Sequence, residues 1–390
     1  MDMYHDNTRK ELVEVAEKYK DLSFSFLHHT GYMYGIGCKA DDKNTIERIK
    51  QYKERPDNKG FIVLLPSVSA LSLTDGEREV RIPGNNFKPI QLKIDLKSLF
   101  LLEQYQPGNL TLCLQVIDSK DYEHLMLNGK LAIRVPESQY LRYFIRLLNR
   151  PVVSTSVNRP GEEPLKNFKV IRKLDWFDFA ILSSKDMKHR SAPSTIVESD
   201  NNNLTCHREG FIPFKEVEES YHKPLVLFVC TGNICRSPLA EYYARHIFKQ
   251  RGLSFRTASA GFIPVTVAIS SHSFSVLNND GIHAGEHYSQ HLHEDLIRKA
   301  WLILTMEKDH RNLILKAYPA CKHKVFTLSG FCGSKGDVED PFRQDMEKYV
   351  NTYQLIKKYI DILADKLILR SKKLVTLYEL AKIKPEDVEI

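Results

Sequence analysis

Apolar positions recur at helical spacing along several stretches of the chain. Leu12, Val15, Ala16 and Tyr19 share one face of a helix predicted over residues 6–20, and Tyr353, Ile356, Ile360, Leu363 and Leu367 mark a long helix from Gln344 to about Leu369. Further helices are predicted at Lys43–Tyr52 and Ser138–Leu148. Between them lie apolar runs of strand length: Phe24–Leu27, Phe61–Leu65, Leu110–Leu114, Lys130–Val135, Leu225–Cys230 and the segment from Trp301. The last two are continuously apolar, as buried parallel strands covered by helices on both faces must be. Alternating strands and helices make the fold class α/β.

Leu225–Cys230 ends in Cys230-Thr231-Gly232-Asn233-Ile234-Cys235-Arg236-Ser237-Pro238, and a helix-forming run starts just after Pro238. Backbone N–H groups of such a loop, with the helix N-terminus behind them, converge on one point and favour a dianion there. Cys230 shares that field with Arg236, so its thiol pKa is expected well below the free value of about 8.5. The planar Arg236 fork takes two phosphoryl oxygens at once. Ser237 can donate to the thiolate, and Asn233 can tie the loop's backbone together. The chemistry this predicts is attack of sulfur on phosphorus followed by hydrolysis of a phosphocysteine. Cys235, five positions on, is either a packing residue or a partner that traps the nucleophile as a reversible disulfide.

Composition narrows the class. The 390 residues suit two or three domains, and 42% hydrophobic residues is ordinary for a globular protein. No charged-then-apolar leader and no bilayer-length apolar run is present, so a cytoplasmic location without membrane association is expected. Seven dispersed cysteines do not form a disulfide scaffold, and no paired CxxC elements point to a metal. A net charge of +7 favours anionic partners: nucleotides, phosphoproteins or RNA.

In the first half, Lys53-Glu54-Arg55-Pro56-Asp57-Asn58-Lys59-Gly60 follows a helix and precedes a strand, which suits either polyphosphate or a solvated basic turn. Gln106-Pro107-Gly108-Asn109-Leu110-Thr111 feeds a strand, Lys130–Pro136 contains Arg134, and Ser154-Thr155-Ser156-Val157-Asn158-Arg159-Pro160-Gly161 places hydroxyls and an amide at a sheet end. These four motifs, in this order, resemble the YrdC-type threonylcarbamoyl-AMP synthase family over residues 5–185. The resemblance implies a twisted α/β sheet domain that uses ATP with Mg2+, L-threonine and bicarbonate for tRNA modification. It places Lys53 and Arg55 on the triphosphate, Thr111 and Arg134 along the cleft, and Ser156 and Asn158 on nucleotide or carbamoyl groups. Where that family reads Pro-Thr-acid-Thr before YGLG, this chain has His29-Thr30-Gly31-Tyr32. An acid and a hydroxyl are thus exchanged in the loop associated with threonine. A non-catalytic, RNA-binding version of the domain is the other reading.

The loop from Cys230, followed by Thr257–Gly261, Gly281-Ile282 with His287, and Asp340-Pro341, is similar to the low-molecular-weight protein tyrosine phosphatases over residues 223–369. This resemblance implies a doubly wound parallel sheet, no cofactor or metal, Cys230 as nucleophile, Arg236 as phosphate ligand and Asp340 as general acid. Thr231, Gly232, Asn233, Ile234, Cys235 and Ser237 complete the phosphate loop. Ile234 is apolar where relatives acting on phosphoarginine tend to carry threonine, which points to phosphotyrosine in a protein or a small aryl phosphate. Phe342 is placed to wall an aryl slot. The expected division is 1–222, with 186–222 either linker or closing strands, then 223–369, then an extension 370–390.

Overall fold

The computed structural model describes every residue except 1, 7, 55–59, 82–87, 119, 160, 187–191, 201–202 and 383–390. The chain forms two compact units, Met1–Asp95 with Tyr105–Lys215, and Leu96–Gln104 with Glu216–Ile390.

The first unit is built on a mixed sheet of thirteen strands among the described residues. At its centre Tyr34–Lys39 pairs antiparallel with Phe26–His29 on one side and Val152–Ser156 on the other. Ile62–Leu64 and Lys130–Arg134 follow as a parallel pair, bringing Leu64 opposite Arg134. The expected strand Phe24–Leu27 is shifted to Phe26–His29. Ser25 is drawn out of the ladder because its N–H donates to Asp178 Oδ2 at 2.7 Å and its hydroxyl to the Trp176 carbonyl at 2.7 Å. Glycine at 35 lets the strands close: a Cβ there would stand 2.5 Å from His28 Cε1. The helices Lys43–Tyr52 and Gln139–Leu148 form as expected, the second capped by Ser138, whose hydroxyl accepts from Leu141 N. Within residues 186–222, the described part holds closing strands Thr195–Asp200 and Asn203–Arg208 and a helix Phe214–His222.

The second unit centres on four parallel strands in the order Arg256–Gly261, Leu225–Cys230, Ala300–Thr305 and Val325–Thr327. Side chains of Leu225–Cys230 alternate between two cores. Val226, Phe228 and Cys230 pack with the helices Arg236–Gln250 and Met346–Lys372, while Leu225, Leu227 and Val229 pack on the opposite face. The helix after the phosphate loop begins at Arg236 and not after Pro238. Pro238 then sits in the first turn, where a missing N–H costs no intrahelical bond.

Leu96–Gln104, read from sequence as part of the first domain, belongs to this second unit. Phe100 packs edge-on to Trp301 at 5.0 Å. The buried Glu103 carboxylate accepts from Arg370 Nη2 at 2.7 Å, Trp301 Nε1 at 2.9 Å and Leu377 N at 2.7 Å. Arg370 is therefore the last-turn anchor of the long helix, and residues Leu377–Lys382 form a short helix whose Leu377 and Leu380 lie in the same core. Among the described residues no helix is long and apolar enough to cross a membrane.

Candidate active site

Cys230 ends the second strand of the parallel sheet, at the carboxyl edge where ligands of such sheets bind. Its Sγ accepts from the Asn233 backbone N–H at 3.3 Å and lies 3.0 Å from Ser237 Oγ. Asn233 Nδ2 donates to Ser237 Oγ at 2.9 Å, which leaves the serine proton free to point at sulfur. Asn233 holds the loop in shape with φ +54°, donating also to Ser259 Oγ at 2.7 Å and accepting from Gln290 N at 2.9 Å. Its carbonyl meets His287 Nε2 at 2.9 Å. Gly261 lies directly beneath: a Cβ there would stand 2.7 Å from Asn233 N and 2.8 Å from Thr231 O.

Arg236 is 1% exposed at the loop's far end. Nη1 donates to Glu307 and, at 2.9 Å, to the Val338 carbonyl; Nη2 donates to Asp340 Oδ2 at 2.6 Å and to Thr231 Oγ1 at 3.2 Å. Its buried Nε has no protein partner, so the guanidinium keeps one donor for a ligand oxygen. The acid-bearing segment is tied to the sheet by Val338 N donating to the Met306 carbonyl at 2.8 Å, and Phe342 N donates to Asp340 Oδ1 at 3.2 Å. Glu339 turns the other way and pairs with Lys348. The structure thus brings Cys230, Thr231, Gly232, Asn233, Ile234, Cys235, Arg236, Ser237 and Asp340 into one constellation. Cys235 faces inward, its Sγ 3.2 Å from Tyr349 Oη, and burial pushes its thiol pKa up.

Sequence reasoning missed three groups here. Glu307 and His310 follow the strand Ala300–Thr305, and His310 Nε2 lies 3.0 Å from Thr231 Oγ1. Burial lowers the His310 pKa, with Glu307 opposing. The available signal was position alone, since both follow the carboxyl end of a parallel strand. Tyr349 carried no signal beyond its place in an apolar helix stripe.

The first unit holds its own cleft, a cavity of about 860 Å³. Lys53, Arg134, Ser156 and Asn158 line it; Thr111 does not, but donates to the lining Ser194 at 2.8 Å. Arg55 lies outside the described residues. Lys53 is no solvated turn residue: its Nζ is buried against the Asn158 carbonyl at 2.8 Å and Asn158 Oδ1 at 2.9 Å. Arg134 donates from Nε to the Gly108 carbonyl at 2.7 Å, while its buried Nη2 lacks a partner and burial lowers its pKa to about 10. Arg208, which sequence reasoning did not single out, joins the wall and donates to Ser194 Oγ at 3.1 Å. Tyr32 is buried and does not line the cavity; its ring is tilted against Phe211 at 4.8 Å, with the Arg134 guanidinium 5.8 Å from it.

The strand-end loop from Cys230 to Arg236, with Asp340 bonded to Arg236, sits at the carboxyl edge of a parallel sheet. The profile of the family described as "Low molecular weight phosphotyrosine protein phosphatase" matches residues 225–373. A protein-arginine-phosphatase of Bacillus subtilis (strain 168) is 36% identical over 144 residues, 36% of this chain and 95% of the relative. The low molecular weight protein-tyrosine-phosphatase PtpB of Staphylococcus aureus is 36% identical over 147 residues, covering 35% of this chain and 98% of its own length. A solved low molecular weight protein tyrosine phosphatase from T. tengcongensis is 37% identical, covering 37% of this chain and 99% of its own, with a TM-score of 0.36. The chain belongs to the low-molecular-weight phosphatase family, and residues 29–210, beyond the expected limit of 185, match the Sua5/YciO/YrdC family described as "Telomere recombination".

Proposed function

We propose that this protein hydrolyses phosphotyrosine through a phosphocysteine on Cys230. The observation that supports the reading is the bond from Arg236 Nη2 to Asp340 Oδ2 at 2.6 Å, which holds the acid beside the arginine of the Cys230 loop. Sulfur attacks phosphorus as the bond from phosphorus to the aryl oxygen breaks, and Asp340 gives that oxygen its proton. Water then attacks phosphorus, Asp340 takes its proton, and the sulfur leaves as thiolate. All groups are side chains or backbone N–H, so no cofactor enters. Relatives acting on phosphoarginine and on phosphotyrosine share similar identity with this chain, so the choice rests on Ile234, packed on the core at the loop. Its aliphatic side chain offers an aryl ring an apolar contact and offers guanidinium N–H groups no acceptor, whereas the half-exposed Phe342 beside the acid suits either, as the Arg343 guanidinium 5.3 Å over its ring shows. Comparing kcat/KM on matched phosphotyrosine and phosphoarginine peptides tests this: preference for the first is expected, and preference for the second sinks it.

For the first unit we infer a cleft for a nucleotide polyphosphate such as ATP, with Lys53, Arg134, Ser156 and Asn158 as its ligands. The unpartnered Arg134 Nη2 supports an anion. The exchange of acid and hydroxyl for Gly31 and the inward-packed Tyr32 argues against threonine as co-substrate. Pyrophosphate release from ATP and bicarbonate that rises on adding L-threonine would reverse this reading in favour of an L-threonylcarbamoyladenylate synthase.

A further inference from the structure

Large apolar side chains crowd the rim of the phosphate site. On one side, the loop after Gly261 is stitched to the phosphate loop: Phe262 and Ile263 N–H donate to the Thr231 carbonyl at 2.8 and 3.2 Å, and Ser270 N–H donates to the Ile234 carbonyl at 3.0 Å. That loop presents Ile263, Val265 and Val267, each at least 40% exposed. Ile263 reaches over the phosphate loop, its Cδ1 3.9 Å from where a Gly232 Cβ would be. Ser289 fixes the loop's form by accepting from Val267 N at 3.0 Å and donating to the Val265 carbonyl at 2.8 Å. On the other side stand Phe342, two residues past the acid, and Met346 and Val350 on the first turns of the long helix, at 50%, 40% and 38% exposure. Their helix is fixed to the phosphate loop by the buried Tyr349, which contacts Cys235.

In water each of these side chains is unfavourably exposed, and exposed apolar side chains gathered on elements bonded to one loop mark a binding surface. Elsewhere in the second unit only Leu313, Tyr378 and Tyr288 are comparably exposed among the described residues, and Tyr288 pairs with Ala268 on the same loop. A side chain phosphate reaching Cys230 must carry its own polypeptide across this rim.

We propose that the rim is a docking surface for the polypeptide flanking the phosphorylated residue, and that it selects segments with apolar residues on both sides of that residue. The occupant follows from continuity: the rim begins where the phosphate loop ends, so whatever fills the pocket with a phosphorylated side chain lays its backbone on these six residues. Apolar flanks lose water there as the rim does, whereas acidic or strongly polar flanks lose hydration against six apolar side chains, with the exposed Arg343, 5.3 Å over the Phe342 ring, as a cation beside them. The proposal rests on the phosphatase reading and adds the substrate's neighbouring sequence to it.

The test uses the full-length protein and four peptides: phosphotyrosine and phosphoarginine, each flanked by Leu-Val or by Asp-Glu, with free phosphotyrosine as a rimless control. Whichever phosphoresidue is turned over serves as reporter. The apolar-flanked peptide is expected to have at least about tenfold higher kcat/KM than its acidic counterpart, and Val265→Asp with Val267→Asp to remove that difference while free phosphotyrosine hydrolysis is unchanged. Equal rates on both flanks, or a preference that survives the double substitution, overturn the proposal with phosphatase activity intact. Hydrolysis of none of the substrates overturns the phosphatase reading and this proposal with it. If the small-substrate rate per enzyme falls as protein concentration rises and the Val265 and Val267 substitutions cancel that fall, the rim is occupied by a second copy of the chain and the proposal is wrong.

Discussion

Arg236 is asked to hold two carboxylates, a carbonyl and a hydroxyl while keeping Nε for a ligand, so the residues around it carry the sharpest expectations. Asp340→Asn keeps the hydrogen-bond shape but cannot give a proton, and kcat on an aryl phosphate should fall by about 10²–10⁴ with little change in KM. Stopped-flow rates at saturating substrate read this directly. In the first unit, burial lowers the pKa of His28 from 6.5 to about 3, with His29 and Arg134 adding to it, and that of His29 to about 4. Below pH 6.5 the unfolded chain binds protons that the folded unit refuses, so stability present above 6.5 is lost progressively as pH falls towards 4 and below. His28, whose two ring nitrogens have no partner, should be replaceable by phenylalanine. Urea midpoints of His28→Phe should decline less steeply between pH 6.5 and 4 than those of the parent, and parallel declines would refute the assignment. Cys230 and Arg236 were readable as neighbours because one loop between strand and helix fixes their spacing, whereas Asp340, far along the chain, was reached only through the resemblance of its Asp-Pro to the phosphatase pattern. Glu307 and Tyr349 were not, because each reaches the site only through strand order and helix packing, which no local pattern encodes.

Among elements, the edge of Arg256–Gly261 supports the phosphate loop from below, and its glycine sets how close the two backbones come. Gly261→Ala would push on Asn233 N and Gly232 C, both of them backbone, so the loop and not a flexible side chain must move. A misplacement of about 1 Å costs on the order of 10² in rate, and kcat/KM should drop by that order while the circular dichroism spectrum stays unchanged. The helix Leu96–Tyr105 makes a second case. Its Glu103, at 6% exposure, faces Arg370 at 0%, and removing one partner of such a buried pair costs about 3–5 kcal/mol. Glu103→Ala should destabilise the second unit by that amount, whereas Glu103→Leu with Arg370→Met should recover only part of it, because Trp301 Nε1 and Leu377 N stay without their acceptor. Trp301 fluorescence in a Trp176→Phe background reports this unit alone, since Trp301 Nε1 donates to Glu103. Helix positions were readable from the 3.6 period, and Lys43–Tyr52 forms with the expected ends. What the pattern could not show is that a helix between two strands of the first unit completes the core of the second, because periodicity states that a face is buried and not against what.

On the scale of the whole molecule, a chain of net charge +7 carries a cation-bearing feature in each unit. One is the loop that ends in Arg236, and the other is a cleft of about 860 Å³ whose lining includes Lys53, Arg134 and Arg208 together with Glu163 and Glu198. The family resemblances to both were readable from motifs, since each motif sits at a strand end whose chemistry is local. Substrate choice was less so, because it depends on rims and fillers such as Ile263, Phe342 and Tyr32 that come from separate segments. The claim on which the rest depends is the covalent step at Cys230. Mass spectrometry of acid-quenched Asp340→Asn protein, caught during turnover of an aryl phosphate, measures it most directly. One phosphoryl group on the peptide containing Cys230, absent from Cys230→Ser, is the predicted result. Undiminished hydrolysis by Cys230→Ser, or phosphate found on another residue, would contradict it.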